Sequence, residues 1–301
     1  MSALLTITRA APLSTIQDAG RFGMLSHGIS ASGAMDGSAY HVAGILAGAQ
    51  SNGAIEFTTA GIDVAVSGGR CSAGVAGGDF KALHNGAPIA WPGRVDLRAG
   101  DRLSITPGAR GNYGYLRFER NFDLPLVMGS LSTSTRAMIG GLDGRALRAG
   151  DTLALGNTGP AATGNIVEPK QDDAPIRVVW GLHADMFGNA LRQRFLDSNF
   201  TIAAQMDRMG VRLGDSAGVF AATKALSLVS DAVVPGDIQI MGDGTPVVLM
   251  RDHQPTGGYP RIATIASVDF DRFAQMRPGS PVAFQSITVE HALHLLRSGQ
   301  P

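Results

Sequence analysis

Lysine is nearly absent from this 301-residue chain: Lys81, Lys170 and Lys224 stand beside 22 arginines in a total of 25 basic residues. None of the three follows a glycine, so the phosphate-cradling P-loop pattern is missing. None follows a methionine either, which removes a Met-Lys type of biotin attachment site, and any biotin has to arrive on a partner. Cysteine is scarcer still. The single Cys71 excludes an internal disulfide framework, and within Gly-Gly-Arg-Cys-Ser-Ala-Gly-Val-Ala it reads as a small core residue. No Gly-x-Gly-x-x-Gly occurs, which argues against a dinucleotide-binding fold. No apolar run reaches membrane-span length, and Arg9 sits where a signal peptide would be apolar, so the expectation is a cytoplasmic protein with no membrane contact. Charge of either sign is not in excess. With 25 basic and 25 acidic residues the formal net charge is +0, and nucleic acid is disfavoured as a partner.

What the chain has in abundance is glycine, 40 residues of it, among 44% hydrophobic residues that can fill a core. Short apolar runs such as Val64-Ala65-Val66, Leu103-Ser104-Ile105, Ile176 to Trp180 and Pro246 to Met250 alternate with Gly, Pro, Asn and Asp, as barrels and sandwiches require. Helical spacing is clearest over Ser38 to Ala47, Asp185 to Phe195 and Val268 to Met276. One turn signature recurs: Leu97-Arg98-Ala99-Gly100-Asp101, Leu147-Arg148-Ala149-Gly150-Asp151 and Met276-Arg277-Pro278-Gly279-Ser280 each lead into an apolar strand, which hints at duplicated β units. Residues Gly156 to Pro175 lose periodicity and read as a linker. The predicted fold is mainly β, with one domain over 1–160 and a second over 161–301.

Chemistry-bearing residues gather around glycines. The densest stretch is Asp252-His253-Gln254-Pro255-Thr256-Gly257-Gly258-Tyr259-Pro260-Arg261, where acid, amide, hydroxyl, phenol and guanidinium flank a Gly-Gly hinge; a solvated turn between strands is the plainer reading. Others are Gln17-Asp18-Ala19-Gly20-Arg21, Ser32-Gly33-Ala34-Met35-Asp36, Gly78-Asp79, Thr135-Arg136 through Gly144-Arg145, and Asp207-Arg208-Met209-Gly210-Val211-Arg212. An Asp beside an Arg equally makes a buried structural ion pair. Gly214-Asp215-Ser216-Ala217-Gly218 matches a nucleophile elbow in letters only and reads as a turn. His291 and His294 lack zinc-protease spacing and read as a helix surface, so no metal site is expected.

In this order, with Glu56, Gly140-Gly141, Pro235-Gly236-Asp237-Ile238-Gln239 and Thr256-Gly257-Gly258-Tyr259-Pro260, the motifs resemble the biotin-dependent carboxyltransferase family also called KipA or allophanate hydrolase subunit 2. The resemblance spans nearly the whole chain and implies two cyclophilin-like β barrels with a few short helices. It further implies a C subunit of an ATP-dependent 5-oxoprolinase-type complex, working with a KipI-like subunit on a small cyclic amide, beside a lactam-hydrolase subunit. ATP with Mg²⁺ would act at the level of the complex. The alternatives are a carboxyltransferase moving CO₂ from carboxybiotin to a urea- or amide-type nitrogen, with a biotin carboxylase as partner, and a regulatory binder of a KipI-like protein. On this resemblance Asp207, Arg208, Thr256 and Tyr259 are the catalytic candidates. Asp18, Arg21, Asp36, Asp79, Arg136, Arg145, Arg212, Gln239 and Asp252 are the substrate-binding ones. There are departures: Gly129-Ser130-Leu131-Ser132-Thr133 replaces the family's Gly-Ser-Arg-Ser-Thr, Gly44 replaces an asparagine, and Val211 replaces an aromatic residue.

Overall fold

A computed structural model describes residues 3–164, 166, 172–223 and 228–298. The chain divides into two compact units, Met1–Phe22 with Ala31–Pro169 and Gly23–Ser30 with Lys170–Pro301. The mainly β class expected from the sequence holds, with short strands throughout and four α-helices among the described residues. No helix among them is long and apolar enough to cross a membrane.

In the first unit, alternation does the organising. Along Ala3–Ala10 the residues Ala3, Leu5 and Ile7 are fully buried while those between them face outward, the period-2 pattern of a strand with one apolar face. That strand is the third in a seven-stranded sheet ordered Arg120–Phe122, Thr152–Thr158, Ala3–Ala10, Ile62–Gly68, Arg102–Pro107, Phe80–His84, Ala87–Ile89. A second sheet runs Thr15–Gln17, Ala54–Thr58, Tyr113–Phe118, Cys71–Gly77, Gly93–Leu97. Leu5, Ile7, Ile55, Phe57, Leu103, Leu116, Phe118 and Leu155 from both sheets form one apolar core. Cys71 joins that core, and burial pushes its thiol up to about 12, which rules it out as a thiolate. The first helix, α1 (Gly37–Ala47), begins where the Asp36 carboxylate accepts from the Ala39 N–H at 2.8 Å, and it lies against the strand Cys71–Gly77 at Gly74.

The recurring turn is one structure used three times. Gly100, Gly150 and Gly279 sit at its tip with φ of +95°, +95° and +86°. Their N–H groups donate to the carbonyls of Val66, Ile7 and Ile202, whose own N–H groups donate back to Asp101, Asp151 and Ser280. In the first two turns the aspartate also accepts from the Arg98 and Arg148 N–H groups. The letters Arg-Ala-Gly-Asp therefore encode a staple between a strand's first residues and its neighbour. The linker expected over Gly156–Pro175 begins later than predicted, because the strand Thr152–Thr158 runs through its first residues; 165 and 167–171 lie outside the described residues.

The second unit is built on an eight-stranded sheet ordered Pro281–Val282, Phe200–Met206, Gly210–Gly214, Pro246–Leu249, Asp237–Ile240, Arg261–Ile265, Ile176–Trp180, Phe284–Ser286. Its one parallel pairing joins Ile176–Trp180 to Phe284–Ser286. Phe195 of α2 (Asn189–Asp197) stacks on Phe284 at 4.9 Å between ring centres and also meets Phe200 and Phe220, fixing that helix. The predicted helix over Asp185–Phe195 is broken at Gly188, where an extended ψ of 156° separates a single 3₁₀ turn from α2. The helices α3 (Ser267–Ala274) and α4 (Val289–Ser298) follow, the latter carrying His291 and His294. A separate two-stranded ribbon pairs Asp231–Ala232 with Thr256–Gly257.

Candidate functional site

In the first unit the predicted polar residues are mostly taken up by the chain itself. Asp18 accepts from the backbone of Gly20 and Leu131 and from the hydroxyls of Ser130 and Ser132. Arg21, 1% exposed, donates to the carbonyls of Val127 and Ser132. Both thus grip the loop at 127–133 from one side. Leu131 belongs to this grip through its N–H, while its side chain packs in the core, so the position that holds a guanidinium in the family pattern faces inward here. Asp36 caps α1, and Asp79 closes a turn by accepting from Ala109. Arg145 forms a two-bond pair with Asp151 of the second staple turn, at 2.8 Å for each bond. Arg136 is exposed.

In the second unit the candidates converge more closely. Arg208 and Asp252, 5% and 7% exposed, pair through two bonds of 2.8 and 3.1 Å. The carboxylate next to Arg208 in sequence, Asp207, instead accepts from the N–H groups of Met209 and Gly210 and shapes the turn between strands. Arg212 is exposed on the following strand, and Val211 points into the core. On the strand Asp237–Ile240, Asp237 and Gln239 share one face and both are buried, against the usual rule for polar strand residues. Asp237 accepts from Thr264 at 2.6 Å and from the Val234 N–H at 3.0 Å, with Arg261 at 3.5 Å. Gln239 is 1% exposed, and its Nε2 finds no hydrogen-bond partner. A buried amide donor left in that state costs about 1–3 kcal/mol. Thr256 and Tyr259 stand in the ribbon segment above, exposed and 36% exposed respectively.

Two histidines also belong to this region, His253 within the Asp252–Arg261 stretch and His183 outside every quoted motif. The carbonyl of Gln254 can only accept, so the 2.7 Å contact from His253 Nδ1 places the proton on that nitrogen and leaves Nε2 with the lone pair. Burial holds His253 below its usual pKa, opposed by its bond to Gln254 and by the fields of Asp237 and Asp252, which both reach it. His183 has the opposite tautomer: its Nδ1 accepts from the backbone N–H and Nε of Arg261 at 3.4 Å each. Burial, then the adjacent guanidinium, keep it neutral as well. Both groups have folded pKa values below the unfolded value of 6.5, so the stability they confer is complete above that value and is lost as pH falls below it. Denaturant melts between pH 7.5 and 5.5 are expected to show stability falling by at most about 1.4 kcal/mol per pH unit per histidine, with His253→Asn flattening the slope. An equal slope in that variant would remove His253 from the account.

The arrangement in the second unit is one of neutralised charges and neutral hydrogen-bonding groups: an amide, a hydroxyl, a phenol and two uncharged imidazoles. That inventory suits an amide or urea group. In this unit the Arg208 guanidinium is engaged by the Asp252 carboxylate. His183 lies outside every motif quoted from the sequence, and its place beside Arg261 depends on which strands pair.

Residues 27–286 match the family described as carboxyltransferase domain, subdomain A and B. The chain is 35% identical over 300 residues to the C subunit of 5-oxoprolinase from Escherichia coli, covering 96% of this chain and 93% of that one. It is 33% identical over 287 residues to the C subunit of 5-oxoprolinase from Haemophilus influenzae, covering 95% and 92%. Among solved structures, the Kluyveromyces lactis urea carboxylase superposes with a TM-score of 0.86 at 25% identity over 98% of this chain, which spans 28% of that larger one.

Proposed function

The chain belongs to the carboxyltransferase-domain family, subdomain A and B, and from that membership we propose that it is the C subunit of an ATP-dependent 5-oxoprolinase-type complex acting on a small cyclic amide. The observation that carries the reading is the 35% and 33% identity to two 5-oxoprolinase C subunits along almost the full length of both chains. In this reading the enzyme is completed in the cytoplasm by a KipI-like subunit and a lactam-hydrolase subunit, and ATP with Mg²⁺ acts at the level of the complex. Opening a lactam requires its amide oxygen to become a leaving group, and the lactam must be held while that happens. This chain's share is the holding: Gln239 and Thr256 donate to or accept from the amide, Tyr259 borders it, and the Arg208–Asp252 pair keeps the loop before them in place. Arg136 and Arg212, both exposed, are in this reading candidates to meet a substrate carboxylate or a partner.

A second reading, a carboxyltransferase subunit, is favoured by the likeness to the K. lactis urea carboxylase. There CO₂ would leave the ring nitrogen of a biotin carried by a partner and bond to a urea or amide nitrogen, whose proton passes to a base. Reconstitution separates the two. The complex with its neighbouring subunits is expected to convert 5-oxoproline to glutamate with stoichiometric ATP hydrolysis, while the isolated chain does nothing. Carboxylation of urea without lactam opening would transfer the proposal to the second reading, and full lactamase activity from the chain alone would refute the need for a KipI-like subunit.

A further inference from the structure

We propose that Arg261 is a positioning residue, a latch that holds the ribbon of Asp231–Ala232 and Thr256–Gly257 over the Gln239 carboxamide and thereby sets when that amide can meet a ligand. The inference rests on the reading above that Gln239 and Thr256 face the substrate.

The ribbon belongs to neither end of the eight-stranded sheet. It is held together by the pairs Asp231 with Gly257 and Ala232 with Thr256, by the Leu228 N–H to Gly258 carbonyl bond at 2.9 Å, and by the Val233 N–H to Pro255 carbonyl bond at 3.2 Å. Two strands of this length are not stable on their own, so something must tie them to the sheet. Arg261 does so: its backbone lies in the sheet opposite Gln239, while its Nη1 donates to the Ala232 carbonyl and its Nη2 to the Asp231 carboxylate, both at 2.6 Å. The guanidinium is buried, and the Asp231 carboxylate at its outer end is half-exposed.

Beneath the ribbon the closed arrangement leaves a need unmet. Gln239 Nε2 is sealed from water with no partner, and it presses so closely on Gly257 that a Cβ there would land on it. Lifting the ribbon would let water or a ligand carbonyl satisfy that donor, so the unmet amide favours opening and the two guanidinium bonds favour closing, terms of comparable size. Opening would not strand a bare cation. Asp237, 2% exposed, stands 3.5 Å from Arg261 Nη1 and offers a carboxylate when Asp231 lets go, and the lone pair of the neutral His183 faces the same guanidinium. A side chain at Gly257 would have to push the Gln239 amide, the end of a flexible side chain, aside for the latch to engage.

The test uses hydrogen exchange on the full chain, with the amides of Leu228 and Val233 reporting on the ribbon and those of Val248 and Ile240 reporting on the sheet. Asp231→Asn keeps the shape of the outer end and removes its charge; Arg261→Lys keeps the charge and loses the fork. Both are expected to speed exchange at Leu228 and Val233 by about tenfold or more while leaving Val248 and Ile240 unchanged. Unchanged ribbon exchange in Asp231→Asn, or acceleration spread equally through the sheet, overturns the latch even if Arg261→Lys does not fold. In the reconstituted complex Asp231→Asn should raise KM for the lactam several-fold with kcat nearly constant; faster ribbon exchange with an unchanged KM would overturn the link to ligand access. If the wild-type complex opens no lactam, the functional reading falls and the exchange measurement still decides the latch.

Discussion

Asp252→Ala should destabilise the second unit by about 3–5 kcal/mol, a fall in Tm on the order of 10 °C. The substitution deprives a guanidinium that is 5% exposed of its two-bond carboxylate partner and leaves the positive charge in a poorly solvated place. The asymmetry of buried pairs gives a control. Removing both charges together, Arg208→Met with Asp252→Leu, should recover much of the loss, because the cost lies in stranding one ion more than in forgoing the pair. Arg208→Lys should fall between, since lysine keeps the charge and loses the planar fork. Calorimetry of the three variants separates these cases. A double variant no more stable than Asp252→Ala would mean that shape at this site matters more than charge.

Gly74→Val should cost about 3 kcal/mol in the first unit. Here the obstacle is backbone: a Cβ on Gly74 would run into the Ala43 carbonyl and the Ala47 N–H of α1, which lie directly on the strand Cys71–Gly77. A flexible side chain could swing aside, but a helix backbone can only lift away as a whole, parting the cluster that Ala39, Val42, Ala43 and Ala47 bury. Urea titration of Gly74→Val against Gly156→Ala, where the only neighbour is the Asn121 carbonyl at 3.8 Å, supplies the comparison. A difference below about 1 kcal/mol between them would show that α1 yields more readily than close packing allows.

Much of this architecture was legible in the chain because its signals are local. Alternating apolar residues mark strands, and Arg-Ala-Gly-Asp marks a turn into a strand; Asp36, a substrate-binding candidate from the sequence, is in the fold the cap of α1. The family was legible for the same reason, since its motifs are short runs around glycine. The pairing of charges was not. Arg208 has an acid beside it in sequence, yet its partner lies 44 residues away, because two strand connections meet where Asp252 follows Met250 and Arg251. Asp237, Arg261 and His183 come together through a sheet register with a bulge between Ile238 and Gln239, and no spacing rule along the chain foretells it. Leu131 carries the same lesson in reverse. Read as a lost guanidinium, it is in the fold a core side chain whose N–H still serves Asp18.

The staple turns add a point about what their glycines require. At Gly100, Gly150 and Gly279 an added Cβ would meet nothing within 4 Å, so the demand is one of chirality and not of room. Asparagine, the L-residue that best accepts a left-handed backbone, is then the replacement each of these tips can accommodate. At Gly74 the backbone is ordinary and the space a Cβ would take is filled by the backbone of α1, so the demand there is one of room.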